Sequence, residues 1–135
     1  MFQILAAVVA ASIVIMVTTL LSKHFSEKLI AASVLCSIAF IYVGFSLMGN
    51  SVNSILLEVS VAIFFYFLAI IGYSKNNFLI AYGIVLHGIW DLLHQNGSLI
   101  KTNIPDYYPL FCLSVDIILG VYFLWVFKRT RILKV

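Results

Sequence analysis

The chain has 135 residues, of which 64% are hydrophobic and only 10% charged, with a net charge of +3. Soluble globular domains carry roughly 25% charged residues, so the composition excludes that class and leaves an integral membrane protein. At about 20 residues per span there is room for about five spans and for no sizeable extramembrane module. Any function must therefore lie in the spans or their short loops.

The first apolar run, Phe2 to Leu21, is interrupted only by Gln3, Ser12, Thr18 and Thr19 and ends at the polar stretch SKHFSEK. A cleaved signal peptide opens with a positive segment ahead of a shorter apolar core, whereas here no Lys or Arg precedes Lys23. The first run is expected to be a retained span. The second, Leu29 to Met48, ends at GNSVN; the third, Ser54 to Tyr73, ends at SKNN; the fourth, Phe78 to about Gln95, stops at the helix-terminating Asn96-Gly97. The loop GSLIKTNIPDYY leads into the fifth, residues 108–127, with Asp106 as the expected N-cap. Pro109 falls in its first turn, where a missing N–H does little harm. The basic tail KRTRILKV follows, and the sequence has no internal repeat. The expected fold is an all-α bundle of five transmembrane helices in one domain, residues 1–135.

With five spans, the odd loops and the C-terminal tail share one side. That side carries Lys23, Lys28, Lys75, Lys128, Arg129, Arg131 and Lys134, against Lys101 alone on the other. Positive residues are retained on the cytoplasmic side, so the N-terminus is expected outside and the C-terminus in the cytoplasm. The basic tail then acts as a topology signal that can touch anionic lipid headgroups, and no nucleic-acid partner is needed to explain it. Tyr73 and Trp125 near the inner boundary, with Trp90, Tyr107 and Tyr108 near the outer one, fit interfacial aromatic belts.

Of the five acids, only Glu27 and Asp106 lie in loops; Glu58, Asp91 and Asp116 fall inside spans. An ionisable group in hydrocarbon costs roughly 2.5 kcal/mol or more even on lenient scales, so these residues need a compensating reason. At about 1.5 Å of rise per residue, Glu58 and Asp91 lie roughly 6 Å below the outer ends of their helices, and His87 and Asp116 roughly 12 Å. His94 lies close to the outer surface on the same count. One polar cluster in the outward-facing half of the membrane is expected.

The stretch HGIWDLLH, residues 87–94, sharpens this expectation, because His87, Asp91 and His94 stand at i, i+4 and i+7 on one helical stripe. Gly83, one turn earlier, would let a neighbouring helix approach closely. Cys112 and Asp116 on the fifth helix, and Ser54 and Glu58 on the third, repeat the one-turn spacing. Ser33, Ser37 and Gly44 on the second read as packing.

Three uses of such a cluster follow from its chemistry. His and carboxylate ligate zinc, iron or manganese, and His87, Asp91 and His94 offer three donors from one helix, with Glu58 and Asp116 to complete the sphere. The fragment D-x-x-H also echoes the carboxylate-x-x-His pairs of di-metal bundles, although a second copy is absent from the sequence. Alternatively, a buried His and carboxylate one turn apart can exchange a proton with an apolar substrate without a metal. Sterol isomerases of the emopamil-binding type resemble this chain in that local spacing alone. Proton conduction would require polar groups to continue inward, where these helices are apolar. The third use is interhelical glue, worth about 0.6 kcal/mol per hydrogen-bonded pair. His24 reads as a loop residue, Trp90 as belt or packing, and Cys112 as a small buried residue.

HGIWDLLH followed by IPDYYPLFCLSVDIILGVY resembles a family of small, uncharacterised bacterial membrane proteins with an H-x-x-W-D-x-x-H element and a later Y-P…C…D segment. The resemblance covers the second half of the chain and falls on His87, Trp90, Asp91, His94, Tyr108, Pro109, Cys112 and Asp116. It implies a shared site without naming its chemistry, and a bacterial cytoplasmic membrane as the location. The expected function is a metal-assisted enzyme acting on a lipid or other hydrophobic molecule. His87, Asp91, Asp116 and Glu58 would act as ligands or base, His94 as a further ligand or proton shuttle, and Trp90, Cys112 and Tyr108 would line the pocket. The rival is a non-enzymatic binding or transport protein using the same pocket, and a homo-oligomer is compatible with either. Cys36 and Cys112 lie at different depths and should not form a disulfide.

Overall fold

The computed structural model describes residues 2–49, 51–95, 100 and 104–132, and their regular structure is entirely α-helical. Asn96, Gly97, Lys101 and Lys134, which entered the expectations above, lie outside the described residues. Five helices follow one another: α1 (Phe2–Leu21), α2 (Glu27–Met48), α3 (Val52–Ser74), α4 (Phe78–Leu92) and α5 (Tyr108–Ile132). Four of them are long and apolar enough to cross a membrane. The exception, α4, has 15 residues, or about 22 Å at 1.5 Å per residue, against a hydrocarbon core of about 30 Å.

The helices tolerate hydroxyl residues such as Ser12, Thr19, Ser60 and Ser114 because these side chains bond back onto their own helix. Ser12 donates to the Val8 carbonyl (2.7 Å), Thr19 to Ile15 (2.8 Å), Ser60 to Leu56 (2.7 Å) and Ser114 to Leu110 (2.8 Å). No polar group on these side chains is then left to face hydrocarbon.

Start points and end points differ slightly from the sequence reading. The helix α5 starts at Tyr108, so Tyr107 and not Asp106 precedes it, with Pro109 in the first turn as expected. It also continues to Ile132, five residues past the expected end at Phe127. The fourth helix ends at Leu92, three residues before Gln95. There the backbone tightens, with Leu93, His94 and Gln95 N–H groups donating to the carbonyls of Trp90, Asp91 and Leu92, each three residues back.

Packing is uneven. The closest pairings are α4 with α5 and α2 with α3, while α1 lies along α5 and barely touches α2. Glycines set the α4–α5 distance. A Cβ on Gly120 would fall 2.4 Å from Val85 Cγ2, and one on Gly88 would fall 3.2 Å from Asp116 Cβ. Gly83 plays the spacing role expected of it, since a Cβ there would lie 2.7 Å from Leu35 Cδ2 and 3.0 Å from Leu68 Cδ2. Gly44, read as packing, instead has nothing within 4 Å of an added Cβ. The core between the helices is formed by Leu35, Phe65, Ile80, Ile84, Leu119, Phe123 and Phe127, among others. At the basic end, Thr130 of α5 donates to Glu27 of α2 (2.7 Å) and Lys28 lies over the Tyr73 ring, 4.5 Å from its centroid. These contacts bring the starts of α2 and the ends of α3 and α5 together.

Candidate functional site

At the opposite end, α2, α3, α4 and α5 converge on five buried ionisable residues: Glu58, His87, Asp91, His94 and Asp116. The structure divides them into two adjacent groups. In the first, His87 Nδ1 stands 2.7 Å from Asp116 Oδ2 and 3.8 Å from Asp91 Oδ1. Each of these three residues offers one ligand atom such that all three atoms lie within 4.8 Å of one another. Donors around one transition metal sit about 2.0–2.2 Å from the ion, hence within about 4.4 Å of each other. Only small adjustments separate this group from a coordination shell.

In the second group, His94 Nε2 stands 2.7 Å from Glu58 Oε1, and the Trp90 indole N–H points to Glu58 Oε2 at 3.4 Å. The other His94 nitrogen, Nδ1, is 3.1 Å from the Trp90 carbonyl oxygen. A carbonyl can only accept, so Nδ1 carries a proton and the contact between Nε2 and Glu58 holds one further proton shared by the pair. The sequence placed His94 near the outer surface and on the His87–Asp91 stripe. The structure buries its side chain and turns it to α3. Three-residue hydrogen bonds after Leu92 keep residues three apart in line, so His94 stays on the Asp91 side of α4 while its imidazole reaches across to Glu58.

Between the groups lies Tyr42 of α2, which sequence reasoning did not single out. Its ring centroid is 5.8 Å from that of His87 and 4.8 Å from that of His94. Phe65 covers the His87 ring at 5.1 Å, and Trp90 covers His94 at 5.2 Å. The signal for Tyr42 was available: its hydroxyl falls well inside an apolar run, away from either aromatic belt, where a polar tip needs a partner. Of the residues expected to line the pocket, Trp90 touches Glu58 directly, and Tyr108 packs on Tyr42 and Phe45 at 6.1 and 4.7 Å. Cys112 is buried among them, within electrostatic reach of Asp91 and Asp116. Both cysteines are free thiols, as expected from their depths.

One feature sets this cluster apart. Among the described residues, four buried side-chain polar atoms lie outside hydrogen-bonding distance of any partner, namely Tyr42 Oη, both Asp91 oxygens and Asp116 Oδ1, and of these the Tyr42 phenol faces the Asp91 carboxylate. All four belong here, and Asp91 is wholly buried. Buried polar atoms are almost always satisfied, and a partnerless carboxylate in a dry interior is especially unfavourable. Charge tells the same story. Two of the three carboxylates pair with the two histidines, and the third is left to be neutralised by a proton or by a divalent cation.

The chain belongs to a family of unknown function, DUF6010, whose model matches residues 2–129. This accords with the resemblance to an uncharacterised family drawn from the second half of the sequence. No curated protein and no solved structure matches the chain.

Proposed function

We propose that this protein is a metal-dependent enzyme of the bacterial cytoplasmic membrane, acting on a lipid or other hydrophobic molecule. His87, Asp91 and Asp116 hold a divalent transition metal, and the Glu58–His94 pair beside them holds the mobile proton. The observation that carries this reading is the set of three partnerless oxygens on Asp91 and Asp116 beside an imidazole. One divalent ion satisfies all three at once, and the His and carboxylate donors suit zinc, iron or manganese. Bound there, the metal would polarise a substrate oxygen or lower the pKa of a water. The residues around it do the rest: Tyr42 offers a hydroxyl donor between the two groups, Phe65 and Trp90 shield the imidazoles from water, and Glu58 and His94 accept or return one proton. In this reading all five helices span the membrane, with the N-terminus outside and the basic C-terminal end in the cytoplasm, so the site opens to the outer half.

The 2.7 Å contact between His87 and Asp116 favours one alternative, a metal-free acid–base site in which that pair transfers the proton. Elemental analysis separates the two. Protein purified without chelator should retain close to one equivalent of metal; His87→Ala and Asp91→Asn should lose it, and His24→Ala should not. A metal-free wild type whose activity or stability still depends on Asp91 would transfer the assignment to acid–base chemistry.

A further inference from the structure

The groove between α1 and α2 reaches the same site from the side. Because α1 lies along α5 and barely touches α2, a cavity of ≈ 440 Å³ runs between them, walled by Val14, Val17, Val34 and Ile38 and lined in its upper part by Cys112 and Asp116. A second cavity of ≈ 700 Å³, bounded by Phe2, Gln3, Phe45 and Tyr107, lies toward the end that carries the site. Both are lined by Tyr108 and Phe111, so together they form one groove along the bundle.

We propose that this groove seats an amphiphilic lipid that enters sideways from the bilayer, with its alkyl chain running along α1 and α2 past Asp116 and its head-to-chain junction at Tyr108 and Phe111. This rests on the proposed membrane-embedded reaction centre and names its substrate class. Polarity along the groove matches such a molecule. The lower part is apolar in effect, since the Ser33 and Ser37 hydroxyls facing it donate to the Leu29 and Ser33 carbonyls (3.0 and 2.8 Å). The upper part adds the Gln3 side chain and the phenols of Tyr107 and Tyr108, which suit a head group. The two parts meet at Tyr108 and Phe111, and Asp116, wholly buried, borders the lower part about two turns further along α5. Size argues for a chain over a protein helix. A helix about 10 Å across and about 30 Å long fills on the order of 2,000 Å³, several times the lower cavity, whereas a single hydrocarbon chain is thin enough to enter it. Lipid chains are also the apolar solute that surrounds a spanning helix on every side.

The test uses the full-length protein in phosphatidylcholine vesicles doped with phosphatidylcholine bearing a diazirine on one acyl chain. After irradiation, adducts mapped by peptide mass spectrometry should concentrate on groove residues such as Ala10, Val34 and Ser37. Enrichment should be severalfold over Phe64 and Phe67, which are exposed on α3. Ser37→Trp, filling the groove from α2, and Ala10→Phe, filling it from α1, should each abolish groove adducts while leaving α3 labelling and metal content unchanged. Uniform labelling, or groove labelling indifferent to both substitutions, would overturn the proposal. So would a Ser37→Cys variant that oxidises to a covalent dimer, since the groove would then be filled by a second copy. The two readings fail separately: metal-loaded protein without groove adducts sinks the lipid seat alone, whereas groove adducts on metal-free wild type sink the metal assignment and retain the seat.

Discussion

Asp91→Asn should make the protein more stable in chelator and less stable with metal. Asp91 is wholly buried, and neither of its oxygens is within hydrogen-bonding distance of a partner, the Tyr42 phenol facing it. In the metal-loaded wild type that carboxylate is a ligand, and metal at about 100 times its dissociation constant contributes about 2.7 kcal/mol to folding. Chelation removes that contribution and leaves three carboxylates facing two histidines. A buried carboxyl without a counter-charge either stays ionised or takes up a proton, and either state is less favourable than the metal-bound one. Asparagine at this position removes the charge, and its amide N–H can donate to Asp116 Oδ1, which now has no partner. The variant should therefore melt at one temperature with or without chelator, between the two wild-type values. The wild type itself should fall by about 10 °C on chelation, taking roughly 3–5 °C per kcal/mol for a chain of this size. Thermal unfolding of both proteins in detergent, with EDTA or with added zinc or manganese, measures all four values. Wild type indifferent to chelator, with Asp91→Asn destabilised equally in both conditions, would show that Asp91 is a structural hydrogen-bonding group and that the charge argument is wrong.

Other substitutions separate the parts of the site. Glu58→Ala breaks the buried pair with His94 and leaves the Trp90 N–H without its acceptor, so it should destabilise by about 3–5 kcal/mol yet keep the metal; loss of metal would place Glu58 in the coordination shell. Gly120→Val puts a Cβ 2.4 Å from Val85 Cγ2 and should cost about 1–3 kcal/mol by overpacking, with weaker metal retention as α5 carries Asp116 away from His87. Gly44→Ala, with nothing within 4 Å, is the control and should be neutral or stabilising by up to about 1 kcal/mol; equal melting temperatures for the two glycine variants would refute the close α4–α5 contact. Reporter fusions should place the N-terminus outside and the Arg131 end in the cytoplasm; reporters on the same side would mean that the 15-residue α4 does not cross.

The helices and the heart of the cluster were legible in the sequence because both follow from spacing along one helix. Apolar runs of span length announce α1, α2, α3 and α5, and the one-turn interval between His87 and Asp91 survives in the structure as a shared face. What spacing cannot carry is how helices meet. Gly88 and Gly120, which admit α5 to α4, are unremarkable in the sequence, yet a side chain at either would hold Asp116 away from His87. Tyr42 belongs to a helix whose other buried residues are apolar apart from Ser46, so its role emerges only when α2 is laid against α4. The groove was hidden for a related reason: α1 is apolar all round, and nothing in its residues says that α5 and not α2 is its partner.

His94 shows how one helix divides the chemistry of the site between two neighbours. The α-helix ends at Leu92 in three-residue hydrogen bonds, which keep His94 in line with Asp91, and its imidazole reaches to Glu58 of α3. Glu58 gains a counter-charge, and the remaining His and two Asp keep a net negative charge that a divalent ion can neutralise. The same turn ties His94 Nδ1 to the Trp90 carbonyl, which fixes its tautomer and leaves Nε2 committed to Glu58. One histidine is thereby available to a metal and the other to a proton, and the eight residues HGIWDLLH supply both because each imidazole meets a carboxylate on a different helix, His87 with Asp116 of α5 and His94 with Glu58 of α3.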